Sequence, residues 1–143
     1  MMGTIRTLRA SAAQAAAGTV TGSAVLLGRH YRELIVQLNV SAAGTDVGDT
    51  LDVYVDTTFD GGDTFVNIGH FTQVVGNGGA KKFIMSFCNA APGASAVTAV
   101  GTDAAAGATR QIGFGDQIRY RSVMVDADAN GSFTHAITAM AKD

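Results

Sequence analysis

Apolar and polar positions alternate along much of this chain from Glu33 onward. Leu34, Val36, Leu38 and Val40 fall on one parity and Glu33, Gln37 and Asn39 on the other, with Ile35 as the exception. Leu51, Val53 and Val55 alternate in the same way with Asp52, Tyr54 and Asp56. A period of two puts successive side chains on opposite faces, which is the pattern of a strand with one face buried. After the turn Asp60-Gly61-Gly62-Asp63, a β-branched and aromatic run continues from Thr64 to Val74. Paired glycines between acids supply the positive φ that a tight turn needs, so Leu51–Val74 reads as a β-hairpin. Further strand-like runs cover Lys81 to Asn89, more weakly Ala94 to Gly101, then Gln117 to Asp126 and Ser132 to Met140. The last two flank a turn at Asp128 to Gly131. About eight strands with turn-like spacers and no strong amphipathic helix predict an all-β fold, an antiparallel β-sandwich of jelly-roll type.

The first part of the chain lacks this pattern. Residues 10–24, ASAAQAAAGTVTGSA, are small and carry no apolar stripe, and Gly18 limits any helix. Residues 1–28 therefore read as an extended N-terminal arm and 29–143 as the sandwich domain. A short surface helix or a disordered tail is the plain alternative for the arm.

Composition narrows the function. A chain of 143 residues fits one domain. Charged residues make up only 15%, with 18 Gly, 1 Pro and no Trp, against roughly a quarter charged in ordinary soluble domains. A weakly charged surface on a small domain suggests cover by partners. The formal net charge of −2 favours neither nucleic acid nor an anionic membrane. No apolar run approaches the roughly 20 residues of a membrane span, and the start lacks the continuous apolar core of a signal peptide.

Charge is also segregated. Residues 1–32 hold Arg6, Arg9, Arg29 and Arg32 and no acid, whereas Asp46 to Asp63 holds six aspartates and no base. Arg6 and Arg9 are thus expected to anchor the arm on an acidic surface, either a partner or the aspartate-rich region of a neighbouring copy. Arg119 and Arg121 share one strand parity and are expected to pair with the aspartate-rich segment or to face a partner.

Motifs for catalysis are absent. Cys88, the single cysteine, lies in the apolar run KKFIMSFCNA and reads as a buried, inert thiol. His30, His70 and His135 have no metal-ligand spacing, and there is no nucleophile elbow, P-loop or dinucleotide fingerprint. No enzyme activity and no cofactor are expected. Thr58 to Phe65 matches the Asp-box pattern S/T-x-D-x-G-x-x-W/F, a turn device in which Thr58 and Asp60 bond the backbone around Gly61, Gly62 and Asp63. Asp126-x-Asp128-x-Asn130-Gly131 resembles the first half of a calcium loop, but the twelfth position, which needs a bidentate Glu, is Ile137. It reads first as a polar turn, with calcium binding by Asp126, Asp128 and Asn130 left open.

From about Tyr31 onward the chain resembles a family of small tailed-bacteriophage virion proteins. The markers are LIVQLNVSAAGTDVGDT, LDVYVDTTFDGGDTFVNIGHFTQV, the lysine-led strand KKF, and RYRSVMVDADANGSFTHAITA. Relatives typically carry a T-S-x-D-G-G-x-x-W hairpin followed by F-T-Q; here Phe65 stands in place of the tryptophan, and Thr58 and Phe59 depart from the usual pair. The resemblance implies a capsid decoration, or cement, protein: a β-sandwich, often a homotrimer, bound at local three-fold positions on the expanded capsid. Its implied partner is the major capsid protein, and its implied location the virion surface, with the host cytoplasm during assembly. A receptor- or carbohydrate-binding module of a tail or fibre is the second reading. It would favour exposed aromatics, of which this chain promises few. A small hydrolase on the same scaffold has no constellation to support it.

Overall fold

The computed structural model describes residues 3–28, 31–89 and 97–143. Its strands are β1 (Thr4–Gln14), β2 (Gly18–Thr21), β3 (Val25–Leu26), β4 (Glu33–Ala42), β5 (Thr50–Thr58) and β6 (Val66–His70). They continue with β7 (Val74–Val75), β8 (Lys81–Cys88), β9 (Ala108–Thr109), β10 (Gln117–Val125) and β11 (Phe133–Lys142). The described residues form no helix. Arg29 and His30 lie outside the described residues, as do residues 94–96 of the weak strand expected at Ala94 to Gly101. Residues 97–101 are not strand.

Two antiparallel sheets result. One runs β1-β11-β4-β8; the other runs β2-β10-β5-β6-β9, with β3 also on β10 and β7 on β5. If β2 and β3 count as one interrupted strand, eight main strands pair in nested fashion. The first meets the last, β2/β3 meets β10, β4 meets β8, and β5 meets β6. A long hairpin rolled up in this way is a jelly roll. The Asp60–Asp63 turn is the tip of that rolled hairpin.

Alternation explains the layers. Leu34, Val36, Leu38 and Val40 of β4 meet Phe133, Ile137, Ala139 and Ala141 of β11 on the inner face of one sheet. Leu51, Val53 and Val55 of β5, with Ile118, Tyr120 and Met124 of β10, supply the facing layer. Gly69 on β6 is needed for the close approach of the sheets, since a Cβ there would come within 2.3 Å of Met85 Sδ.

Residues 3–28 follow the expectation only in part. They are extended, but they do not form an arm detached from the sandwich. β1 pairs with β11 from Thr4↔Ala141 to Gln14↔Phe133, and β2 pairs with β10 from Arg121↔Thr21 to Met124↔Gly18. Residues 15–17 cross from one sheet to the other. Backbone pairing places this alanine-rich stretch, with only Leu8 and Gln14 of β1 buried. An apolar stripe was never required, because edge strands are fixed largely by their ladders.

Candidate functional site

The hairpin tip is built as its sequence predicts. Gly61 and Gly62 have φ of 79° and 107°. Thr58 Oγ1 donates to Asp60 Oδ1 at 2.7 Å and accepts the Gly62 amide at 3.0 Å, while the Thr64 amide donates to Asp60 Oδ1 at 2.9 Å. These bonds, with those from Thr64 foremost, hold the Asp60 carboxyl well below the usual carboxylate range. Asp63 is exposed on the outside of the turn. Thr58, Asp60, Gly61 and Gly62 thus serve the turn itself.

Behind the tip, the outer face of the larger sheet carries a paired polar network. Arg121, Tyr54 and His70 lie side by side across β10, β5 and β6. The Arg121 guanidinium sits 4.7 Å over the Tyr54 ring, which stacks on His70 at 4.1 Å. Arg121 Nε donates to Asp56 Oδ2 at 2.7 Å and Nη2 to Asp103 Oδ1 at 2.6 Å. Its bonds to Asp56 raise the Arg121 pKa above the ordinary arginine value. Arg119 Nε lies 3.4 Å from Asp56 Oδ2, and its guanidinium lies 4.1 Å over Phe65. The expected pairing of these arginines with the aspartate-rich segment is therefore present within the chain. His70 Nε2 faces Asp52 Oδ1 at 2.8 Å, and Nδ1 faces the Ala104 carbonyl at 3.0 Å. Both ring nitrogens of His70 thus face oxygen atoms of the chain. Asn67 takes the Ala104 amide at 2.8 Å. The network pins the 102–107 loop.

Arg6 and Arg9 are also used internally. Arg6 Nε donates to the Leu26 carbonyl at 3.2 Å, and Arg9 Nη1 donates to Tyr120 Oη at 3.2 Å. Both bonds join β1 to the opposite sheet, so neither residue is held out on an arm toward an acidic neighbour. Beside Arg9, His135 is buried among core residues. That burial, with the Arg9 charge second, pushes its imidazole down to about 4.

At one end of the sandwich, register brings acids together that lie far apart in sequence. Val125 pairs with Thr50, so the loops just beyond them, at Asp126 and Asp49, become neighbours. Carboxylate oxygens of Asp46, Asp49 and Asp128 lie within 4.8 Å of one another. The Asp128 charge pushes Asp46 above the ordinary carboxylate value. Asn130 Nδ2 donates to Asp128 Oδ2 at 3.2 Å, and the Asp128 amide donates to Asp126 Oδ1 at 3.3 Å. Sequence reading found Asp126, Asp128 and Asn130. It missed Asp46 and Asp49 as their companions, because only the β5–β10 register shows that proximity.

The outer face of the four-stranded sheet is of a different kind. Ile5, Met140 and Ile35 align across β1, β11 and β4, and the adjacent row runs Thr138, Gln37, Ile84 toward β8. Ile5 is 68% exposed and Ile84 70%. Charges stand only toward the ends, at the Lys142–Glu33 pair (3.0 Å) and at Lys82. Cys88 is on this outward parity and is exposed, contrary to the buried thiol expected. Met85 and Phe87 take the inward positions of β8, which leaves Ser86 and Cys88 outside. Two open clefts flank β8. One of about 220 Å³ is lined by His70, Phe71, Phe83 and Met85, and one of about 280 Å³ by Cys88, Arg110 and Gln111.

Comparison with known proteins finds no matching family model, no matching curated protein and no matching solved structure.

Proposed function

We propose that this protein is a structural virion component that binds the outer surface of an expanded tailed-phage capsid. There it bridges major capsid protein subunits, as a homotrimer at local three-fold positions. The observation that carries this reading is the outer face of the four-stranded sheet. Ile5, Met140 and Ile35 form one apolar row with Ile84 beside it, and the charges are confined toward the ends. An exposed apolar patch bordered by polar and charged residues is the kind of surface that protein partners cover. A jelly roll presents such a patch rigidly, so little ordering cost falls on binding. Three copies held together would add avidity without any one strong contact. The resemblance of the Leu51–Val74 and Arg119–Ala139 segments to phage decoration proteins points the same way. A sugar-binding face would present aromatic rings, and this one is aliphatic.

Cosedimentation with expanded empty shells of the cognate phage tests the reading. Saturable binding at a fixed, high ratio to the major capsid protein is expected. Light scattering of the free protein should give the mass of a trimer. Ile84→Lys, at a solvent-exposed position, should fold normally and lose shell binding by at least about tenfold, the scale of a mid-interface apolar contact. Failure of the wild-type protein to bind shells would overturn decoration, and binding to tails or host cells instead would support the adhesin reading. Undiminished binding by Ile84→Lys would move the footprint off this face.

A further inference from the structure

Asp49 is 0% exposed. Its Oδ1 accepts the Ala127 amide at 2.9 Å, but its Oδ2 is buried with no hydrogen-bond partner. A bare, buried carboxylate oxygen is costly unless a cation or donor meets it. We propose that this end of the sandwich is a divalent-cation site of the calcium class, with Asp46, Asp49 and Asp128 as carboxylate ligands.

Four observations converge on it. The three ligand oxygens lie within 4.8 Å of one another, so a point exists no more than about 2.8 Å from all three, and a few tenths of an ångström of side-chain movement brings them to a Ca–O distance of roughly 2.4 Å. Space beside the orphaned oxygen is kept open by glycine. A Cβ on Gly44 would lie 2.9 Å from Asp49 Oδ2 and one on Gly131 2.8 Å from it. These glycines belong to the same two loops that carry Asp46 and Asp128. The donors are all oxygen, which suits a hard cation and disfavours zinc or copper. Magnesium, with oxygens held at about 2.1 Å in a strict octahedron, fits a 4.8 Å span less well. Ile137, at the twelfth position of the Asp126 loop, is buried in the core. The carboxylates a calcium loop would need from that position come instead from the β4–β5 loop. A bound ion would join that loop to the β10–β11 turn, stapling the two sheets at this end.

The test is isothermal titration of the full chain with CaCl₂, paired with thermal unfolding in EDTA and in CaCl₂ at matched ionic strength. One ion per chain is expected, with a Kd of roughly 10⁻⁴ M, the range of extracellular calcium modules. Asp46→Asn and Asp128→Asn, each at a position with solvent access, should weaken binding at least tenfold. In EDTA these variants should melt above the wild type, because like-charge crowding is relieved; in CaCl₂ the order should reverse. No binding heat and no shift of Tm up to about 10 mM calcium, tenfold above the weak end of that range, would overturn the site. So would a calcium-induced rise of Tm that is the same in wild type and both variants.

Discussion

Asp56 stands opposite Arg119 in the β5–β10 ladder, yet its shortest bond, at 2.7 Å, comes from Arg121 two residues further along. The Asp56 side chain is only 3% exposed, and Arg121 covers it from above while bonding Asp103 with its other nitrogens. One buried acid thereby organises two arginines, an asparagine and the overlying loop.

Removing that acid should be costly in a way that removing its outer neighbour is not. Asp56→Asn is expected to lower stability by about 2–4 kcal/mol, because Arg121 would stay half-covered with its main counter-charge gone. Asp103→Asn, on a side chain 41% exposed, should cost less than about 1 kcal/mol. Urea unfolding of both variants measures the difference, and equal losses would mean that Asp56 is not the centre of the network.

The hairpin tip offers a second test. Thr58→Val keeps the shape of the side chain but removes the acceptor for the Gly62 amide and the donor to Asp60. A loss of about 1–2 kcal/mol is expected from the unsatisfied groups. Hydrogen exchange should then rise at Gly62 and Thr64 first, since the turn opens before the strands.

Acid should act through His135. In the folded chain its imidazole takes up a proton only near pH 4, against 6.5 for the ordinary group. Between those values the unfolded chain binds the proton and the folded chain does not. This contribution is therefore fully present above about pH 6.5 and is lost as the pH falls toward 4, by up to about 3 kcal/mol. Unfolding midpoints of the wild type and of His135→Leu across pH 4–8 should separate it. The variant's curve should be the flatter of the two in that window.

Cys88 reports the register of β8. On the outward parity it should react with a maleimide in the native protein, one label per chain, without denaturant. If labelling required urea, the strand would be shifted by one residue and Phe87 would face solvent.

Period-two alternation made β4, β5, β10 and β11 legible almost to the residue, because each has one face in the core, and β8 was legible as an apolar run. The turn at Asp60 was legible because its chemistry is local. β1 was not, since Ala10–Ala17 has no stripe to show and its place depends on a ladder with β11. Cys88 was misread because KKFIMSFC is apolar at both parities, and only the inward turn of Phe87 decides between them. The acids near Asp49 were half visible: Asp126-x-Asp128 is a motif, but Asp46 and Asp49 join it through register. The arginines at positions 6 and 9 looked like free charge, because sequence does not show that each reaches across to the other sheet.

The place of β11 also shapes how this chain reaches its fold. It lies between β1 and β4, and its ladder joins Thr4 to Ala141. Until β11 inserts, both of those strands present unpaired backbone, and β4 has only β8 beside it. Pairings so remote in sequence form slowly, and open strand edges in the interval invite association between chains. Yield on refolding should thus depend on protein concentration more than final stability does, with the vulnerable moment being the one just before that strand slots in.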